Sequence, residues 1–278
     1  MMSSSKAPPC LTDTTTLSIP GTLWLAADTH LGASTPGTGA AFVSFLHQAA
    51  DTADTLFLVG DIFDAWLGDD LATGHPPSWL EPILQALQQT SRQIPVYVGR
   101  GNRDFLMGES LMRHIGATLL PDHIQLETDA GSVLLSHGDE YCTQDKGYQR
   151  FRRMVRSPSL QRWFLNRPLT WRQAIARWAR QQSRQSNRGK SGAIMDVTPS
   201  AIETALTTSG CALMVHGHTH RPAIHNLAVG GLPRQRIVLP DWYVENGAPV
   251  RGGWLALDSD GAHLHYLPGA RPEADDAA

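Results

Sequence analysis

The stretch CALMVHGHTHRP, residues 211–222, decides how this chain is read. An apolar run enters Gly217, and His216, His218 and His220 alternate about that glycine. Short apolar runs bounded by turn residues read as buried strands. In an extended segment residues two apart share a face, so His218 and His220 can converge on one cavity.

Four upstream runs end in the same manner. Residues 22–27 lead into Asp28 and His30, and residues 56–59 into Gly60 and Asp61, with Asp64 three positions on. Residues 96–98 run into GRGNRD, which carries Asn102, and residues 132–136 run into His137 and Gly138. Gly60, Gly101, Gly138 and Gly217 allow close backbone approach at these points. Carboxylate, amide and imidazole together suit borderline-hard ions such as Mn²⁺, Fe²⁺ or Zn²⁺. Two ions ~3.5–4 Å apart would activate water and clamp the oxygens of an in-line phosphoryl displacement. One carboxylate must then be shared, and Asp61 is the central candidate. Each fragment alone is weak, since an Asp after a strand commonly caps the next helix. Five in order, each after an apolar run, make a dinuclear hydrolase. His47, His75, His114, His123, His225, His263 and His265 have no neighbouring ligands and read as surface or core residues. His216 reads as a partner that orients a ligand.

The totals fit a globular protein with a real core: 278 residues, 41% hydrophobic. Three cysteines, Cys10, Cys142 and Cys211, with no CxxC pair argue against a disulfide framework and for a reducing compartment. Residues 1–20 are rich in Ser, Thr and Pro; they read as disordered and lack the apolar core of a signal peptide. No run approaches the ~20 apolar residues of a membrane-spanning helix. A cytoplasmic protein, or one held at a membrane surface, is expected. Helices are expected over 40–50, 76–89, 108–115 and 198–208, a hairpin over 123–136, and a solvated tail over 269–278. Strand–helix alternation followed by strand-rich sequence implies helices covering packed sheets in a domain over 21–268. Ligands in such folds gather at the carboxyl ends of strands.

In this order, Asp-x-His, Gly-Asp, Gly-Asn, His-Gly and Gly-His-x-His resemble the calcineurin-like metallophosphoesterase superfamily. The resemblance implies a mixed α/β (α+β) four-layer αββα sandwich with a helical insertion (cap) and a two-metal site. By position, Asp28, His30 and His220 would hold one ion and Asn102, His137 and His218 the other, with Asp61 bridging. One departure is informative. Most members carry a His after the Asn, near the leaving group; here it is Arg103. Arginine forks onto phosphate oxygens but is a poor proton donor. A leaving group that is itself a phosphate departs as a stable anion, which points to a pyrophosphate substrate.

Longer stretches narrow the resemblance: GDIFDAWLGDD (60–70), GNRDFLMG (101–108), HGDEYCTQDKGYQRFR (137–152), MDVTP (195–199), HGHTHRP (216–222) and DWY (241–243). Over most of residues 22–260 they are similar to the branch of the superfamily that acts in lipid A biosynthesis. That similarity implies hydrolysis of the pyrophosphate of UDP-2,3-diacylglucosamine to UMP and 2,3-diacylglucosamine 1-phosphate. Two Mn²⁺ ions are the implied cofactors, with Fe²⁺ or Zn²⁺ as alternatives. Substrate contacts would fall on Asn102, Arg103, Asp145, Ser183, Asn187, Lys190 and His218, and the catalytic group on Asp61, Asn102, Arg103 and His218. It also implies a monomer attached peripherally to the cytoplasmic face of a Gram-negative inner membrane. The alternative is another dinuclear phosphodiesterase or pyrophosphatase acting on nucleotides or nucleic acid. Thr29 and Pro240 stand where the branch carries Leu and Gly.

Residues 146–195 form a helical insert, expected to break near Pro158, Pro168 and Gly189. From Arg150 to Lys190 it carries twelve of the chain's 23 basic residues and no acidic one. Trp171, Ile175 and Trp178 share a helix face. Three readings compete: a cap whose apolar stripe packs on the body, a nucleic-acid surface, and an acyl-chain cleft attracted to anionic headgroups. The insert lies between the fourth and fifth ligand strands and can overhang the metals. That placement favours the lipid and the anionic membrane surface as partners, and no nucleic acid is expected.

Overall fold

A two-residue period with both faces buried sets the sheets. The computed structural model describes residues 15–187 and 196–270. Every residue of β2 (Leu23–Ala26) and β3 (Thr55–Val59) is buried, because alternate side chains enter different cores. Leu23, Leu25, Phe57 and Val59 meet Val133, Leu135, Leu213 and Val215 in a cluster between two sheets. Trp24, Ala26, Leu56 and Leu58 face the other way. They pack against Phe42, Phe45 and Leu46 of one helix, α1 (Pro36–Thr52), and against Ile83 and Leu87 of a later one.

One sheet has the order β1 (Thr16–Ser18), β6 (His123–Thr128), β7 (Gly131–Ser136), β8 (Leu213–His216), β10 (Leu232–Val238), β9 (Ala223–Val229). The other runs β12 (Gly261–Tyr266), β11 (Gly253–Asp258), β2, β3, β4 (Val96–Gly99), β5 (Thr118–Leu119). On the first sheet's outer face Leu134 and Met214 pack on Ile202 and Leu206 of helix 199–209. The result is the expected four-layer αββα sandwich. Truncating one of these core leucines to Ala would cost about 2–5 kcal/mol. Strands β2, β3 and β4 are mutually parallel, as are β7 and β8. Their carboxyl ends deliver the expected ligands.

The remaining helices are α2 (Asp70–Thr73), α3 (Glu81–Ser91), α4 (Glu109–Ile115), α5 (Lys146–Val155), α6 (Pro158–Leu165), α7 (Leu169–Asn187) and α8 (Pro199–Ser209). The insert breaks at Pro158 and Pro168 as expected, whereas Gly189 lies outside the described residues. No helix among those described is long and apolar enough to cross a membrane.

Two expectations are corrected. Disorder to residue 20 fails at Thr16–Ser18, which pairs in parallel with β6 at Gln125–Glu127. Its composition is polar, but backbone hydrogen bonding to an open sheet edge overrides that. The helix expected over 76–89 begins only at Glu81. Pro77 bars Pro76 from helical geometry, and the Pro77 carbonyl instead closes a turn by accepting from Leu80 N at 2.8 Å.

Candidate metal centre

The described residues include five non-glycine residues with positive φ: Asp28 (54°), His30 (46°), Asp61 (51°), His218 (69°) and His220 (54°). All five are expected ligands. This left-handed conformation costs a residue with a side chain about 1–2 kcal/mol. Such residues persist only where the surroundings over-determine them, and they cluster at functional sites. The strands stop, the chain turns sharply, and each side chain is aimed across the sheet edge.

Asp28, His30 and His220 form one group. His30 Nε2 and His220 Nε2 lie 3.1 Å apart. Two imidazole lone pairs at that distance repel unless a proton or a cation lies between them. Nitrogens bound to one ion at about 2.0–2.1 Å lie about that far apart. Asp28 Oδ2 accepts from His218 N at 2.7 Å. Its Oδ1 faces His220 Nε2 at 3.5 Å and His30 Nε2 at 3.9 Å. Both Asp28 Oδ1 and His30 Nδ1 are buried without a hydrogen-bond partner. An orphaned carboxylate oxygen facing two imidazoles fits a divalent cation.

Asn102, His137 and His218 form the second group. Asn102 Oδ1 lies 2.9 Å from His218 Nδ1 and 3.2 Å from His137 Nε2. His137 Nδ1 donates to the Val59 carbonyl at 3.1 Å, which leaves Nε2 pointing at the site. Between the groups stands Asp61, 1% exposed. Its Oδ1 lies 3.8 Å from His137 Nε2 and its Oδ2 lies 3.9 Å from His30 Nδ1. One oxygen turned to each group is the disposition a bridging carboxylate requires. Asp28 also comes within ligand range of both sets, joining His30 and His220 in one and Asp61 and His137 in the other.

The electrostatics match a cation site. Burial would lower His137, but Asp61, Asp28, Asp139 and Asp104 outweigh it and raise the imidazole to about 9. Burial, with Asp104 and Asp28 nearby, pushes Asp61 up to about 7. His30 falls to about 3 and His218 to about 4, chiefly through burial. Four imidazoles and two acids in so small a space leave excess negative charge that a proton on His137 relieves when no cation does.

Support comes from Asp104 and Asp241, which motif reading quoted without assigning a role, and from His216, expected to orient a ligand. Asp104, fully buried, accepts from the backbone N–H groups of Gly101 (2.7 Å), Ile62 (2.7 Å), Asp61 (3.3 Å) and Phe63 (3.3 Å). It ties the Asp61 turn to the Asn102 turn. Asp241, from DWY, lies 3.6 Å from His220 Nδ1 and also pairs with Arg251 at 3.0 Å. Pro240 does not disturb this segment, since Trp242 N donates to the Asp28 carbonyl at 3.0 Å. His216 is fully buried; its Nδ1 donates to Gly217 O at 2.8 Å and its Nε2 accepts from Arg236. It braces the turn that carries His218. Gly101 and Gly217 are obligatory for lack of room, because a Cβ would collide with Asp61 Oδ1 and Asp28 Oδ2 respectively.

Among the expected substrate contacts, Arg103 is half-exposed at the rim. Its Nη1 pairs with Asp64 at 2.7 Å and its Nε lies 3.7 Å from Asp61 Oδ2. Asp145 caps α5 by accepting from Tyr148 N at 3.0 Å, and the Tyr148 ring stacks on His218 at 6.1 Å between centroids. Ser183 and Asn187 lie on α7 with side chains outside the description, and Lys190 lies outside the described residues.

A family model described as calcineurin-like phosphoesterase matches residues 21–222. Among curated relatives, a protein of Bordetella pertussis named UDP-2,3-diacylglucosamine hydrolase is 53% identical over 251 residues, covering 90% of this chain and 97% of the relative. Proteins of the same name from Serratia proteamaculans and Azotobacter vinelandii are 43% and 41% identical. They cover 87% and 89% of this chain, and 97% and 99% of the relatives.

Proposed function

The chain belongs to the calcineurin-like phosphoesterase family, and on that premise we propose that it hydrolyses the pyrophosphate of UDP-2,3-diacylglucosamine, releasing UMP and 2,3-diacylglucosamine 1-phosphate. Asp28, His30, Asp61 and His220 would hold one divalent cation and Asp61, Asn102, His137 and His218 the other. The oxygen and imidazole donors suit Mn²⁺. When bound, the ions supply Lewis-acid charge for the phosphoryl oxygens and a lowered pKa for the attacking water.

The observation that carries the substrate is Arg103, held beside Asp61 at the rim. Its guanidinium stays charged and can fork onto two phosphate oxygens as charge develops. It holds its protons too tightly to act as a general acid, and a phosphate leaving group needs none. The insert supports the lipid half of the substrate. Phe151, Met154, Trp163, Trp171, Ile175 and Trp178 are exposed on it, at 38–62%. An apolar surface of this kind marks a lipid or partner site. Arg150, Arg153, Arg162, Arg167 and Arg177 are exposed beside it, suited to anionic headgroups. Of the competing readings, the one that packs the Trp171, Ile175 and Trp178 stripe on the body is disfavoured by this exposure.

The test is UMP release from UDP-2,3-diacylglucosamine by the full chain with Mn²⁺, beside an unacylated UDP-sugar and single-stranded RNA. Turnover of the diacylated substrate with little of the other two is the expected result. RNA cleavage without UMP release would reject the proposal.

A further inference from the structure

Arg172 is the one lysine or arginine among the described residues that is buried, 3% exposed, in a helix whose tryptophans face solvent. All three of its guanidinium nitrogens are engaged. Nε donates to Arg167 O at 2.9 Å, within the connection between α6 and α7. Nη1 donates to Leu67 O and, at 2.9 Å, to Asp70 Oδ1, while Nη2 donates to Asp70 Oδ2. This fork-on-fork pair fixes direction as well as distance. Room for it exists because residue 68 is glycine, at φ 135°. A Cβ there would meet Arg172 Nη1, Asp70 Oδ1 and Leu165 Cδ2.

Asp70 opens α2, where the loop that begins at Asp61 ends. The adjacent aspartates at that junction face opposite ways. Asp69 turns inward, accepting from Trp66 Nε1 (3.0 Å), Gly108 N (3.1 Å) and Leu111 N (2.9 Å). Trp66 N in turn donates to Arg103 O at 3.1 Å. Asp70 turns outward to the insert, more than half exposed, with its carboxyl held below the usual range by Arg172. The loop is thus fastened to the body by one aspartate and to the insert by the next.

We propose that Arg172, gripped by Asp70 and the Leu67 carbonyl, is a positioning residue that registers α7 against the segment leading from Asp61 and so sets the preference for a lipid-linked substrate over a small phosphodiester. The substrate named here rests on the function proposed above. Neither Arg172 nor Asp70 touches the ligand cluster. From Arg172 to position 183 is about 16 Å along the helix, so tilting α7 by a few degrees displaces that position by about 1 Å. Misplacement of that size can cost about 100-fold in rate.

Arg172→Ala, Asp70→Ala and the double variant, each in the full chain with Mn²⁺, test this with two readouts. The first is amide hydrogen exchange in α7, with α3 as the control. The second is kcat and KM for UDP-2,3-diacylglucosamine beside bis(p-nitrophenyl) phosphate. The expected result is faster exchange confined to the insert, and a loss of about 100-fold in kcat/KM for the lipid, with the small diester unaffected. The double variant should be no worse than Arg172→Ala alone, because that change already removes the pair with Asp70. Unchanged α7 protection, or equal loss on both substrates in a folded variant, would overturn the proposal. If Arg172→Ala fails to fold, Asp70→Ala, at an exposed partner, decides alone. If the unaltered chain does not cleave the lipid, the proposed function fails, and the exchange readout still decides whether the pair registers α7.

Discussion

The backbone N–H of Arg103 donates to Asp61 Oδ1 at 2.8 Å, while its guanidinium Nε lies 3.7 Å from Oδ2 of the same carboxylate. One residue therefore both steadies the candidate bridging ligand and presents a permanent charge beside it. Arg103→Ala keeps the N–H and loses the charge. The expected outcome is unchanged metal content with kcat lowered about 10²–10³-fold. Arg103→Lys restores the charge without the fork and should recover only part of that loss. Metal analysis and steady-state kinetics on the same preparations check both.

Asp104 has no direct part in the chemistry, yet four backbone N–H groups converge on its buried carboxylate. Asp104→Ala leaves them without an acceptor and is expected to cost about 2–4 kcal/mol of folding stability. Urea unfolding measures it. Stability within error of the unaltered chain would mean that water replaces the carboxylate at no cost.

Asp241 backs His220 from the side away from the site. Asp241→Asn removes the charge while keeping the shape. Metal affinity should fall about 10–100-fold with little change in melting temperature. Competition against a chelator reads the affinity directly.

In the metal-free protein His137 is raised to about 9 and Asp61 to about 7. Both bind a cation only when deprotonated. Between about pH 7 and 9 the free site carries one proton that the loaded site lacks, and below about 7 a second, so affinity rises with pH up to about 9, more steeply below 7, and then levels. At pH 7.5 metal binding should release about one proton. Calorimetry in buffers of differing ionisation enthalpy shows this as a buffer-dependent heat, and identical heats would contradict it.

Much of this was legible from residue order. Each ligand follows an apolar run that becomes a strand, and the strands' parallel pairing carries the side chains to one edge. The division of Asp28, His30 and His220 from Asn102, His137 and His218 came from the family resemblance, and the side-chain distances agree with it. The supporting residues were less legible, because nothing in a GNRD or DWY segment says that Asp104 reaches backward to Asp61 or that Asp241 meets His220. Those contacts depend on tertiary approach. The facing of the insert was left open for a related reason. Helical spacing groups Trp171, Ile175 and Trp178 on one face, but it cannot say which face the body takes. The body takes the face of Arg172, since Asp70 and the Leu67 carbonyl are waiting there. Likewise β1 pairs at a sheet edge that its own composition does not announce.

The most direct test of the two-ion site is a metal titration of stripped protein followed by phosphohydrolase activity. Activity should return in step with about two equivalents of Mn²⁺ per chain, and Asp61→Asn should neither bind the pair nor regain turnover. Full activity in the stripped protein, or a fully active Asp61→Asn, would contradict the assignment.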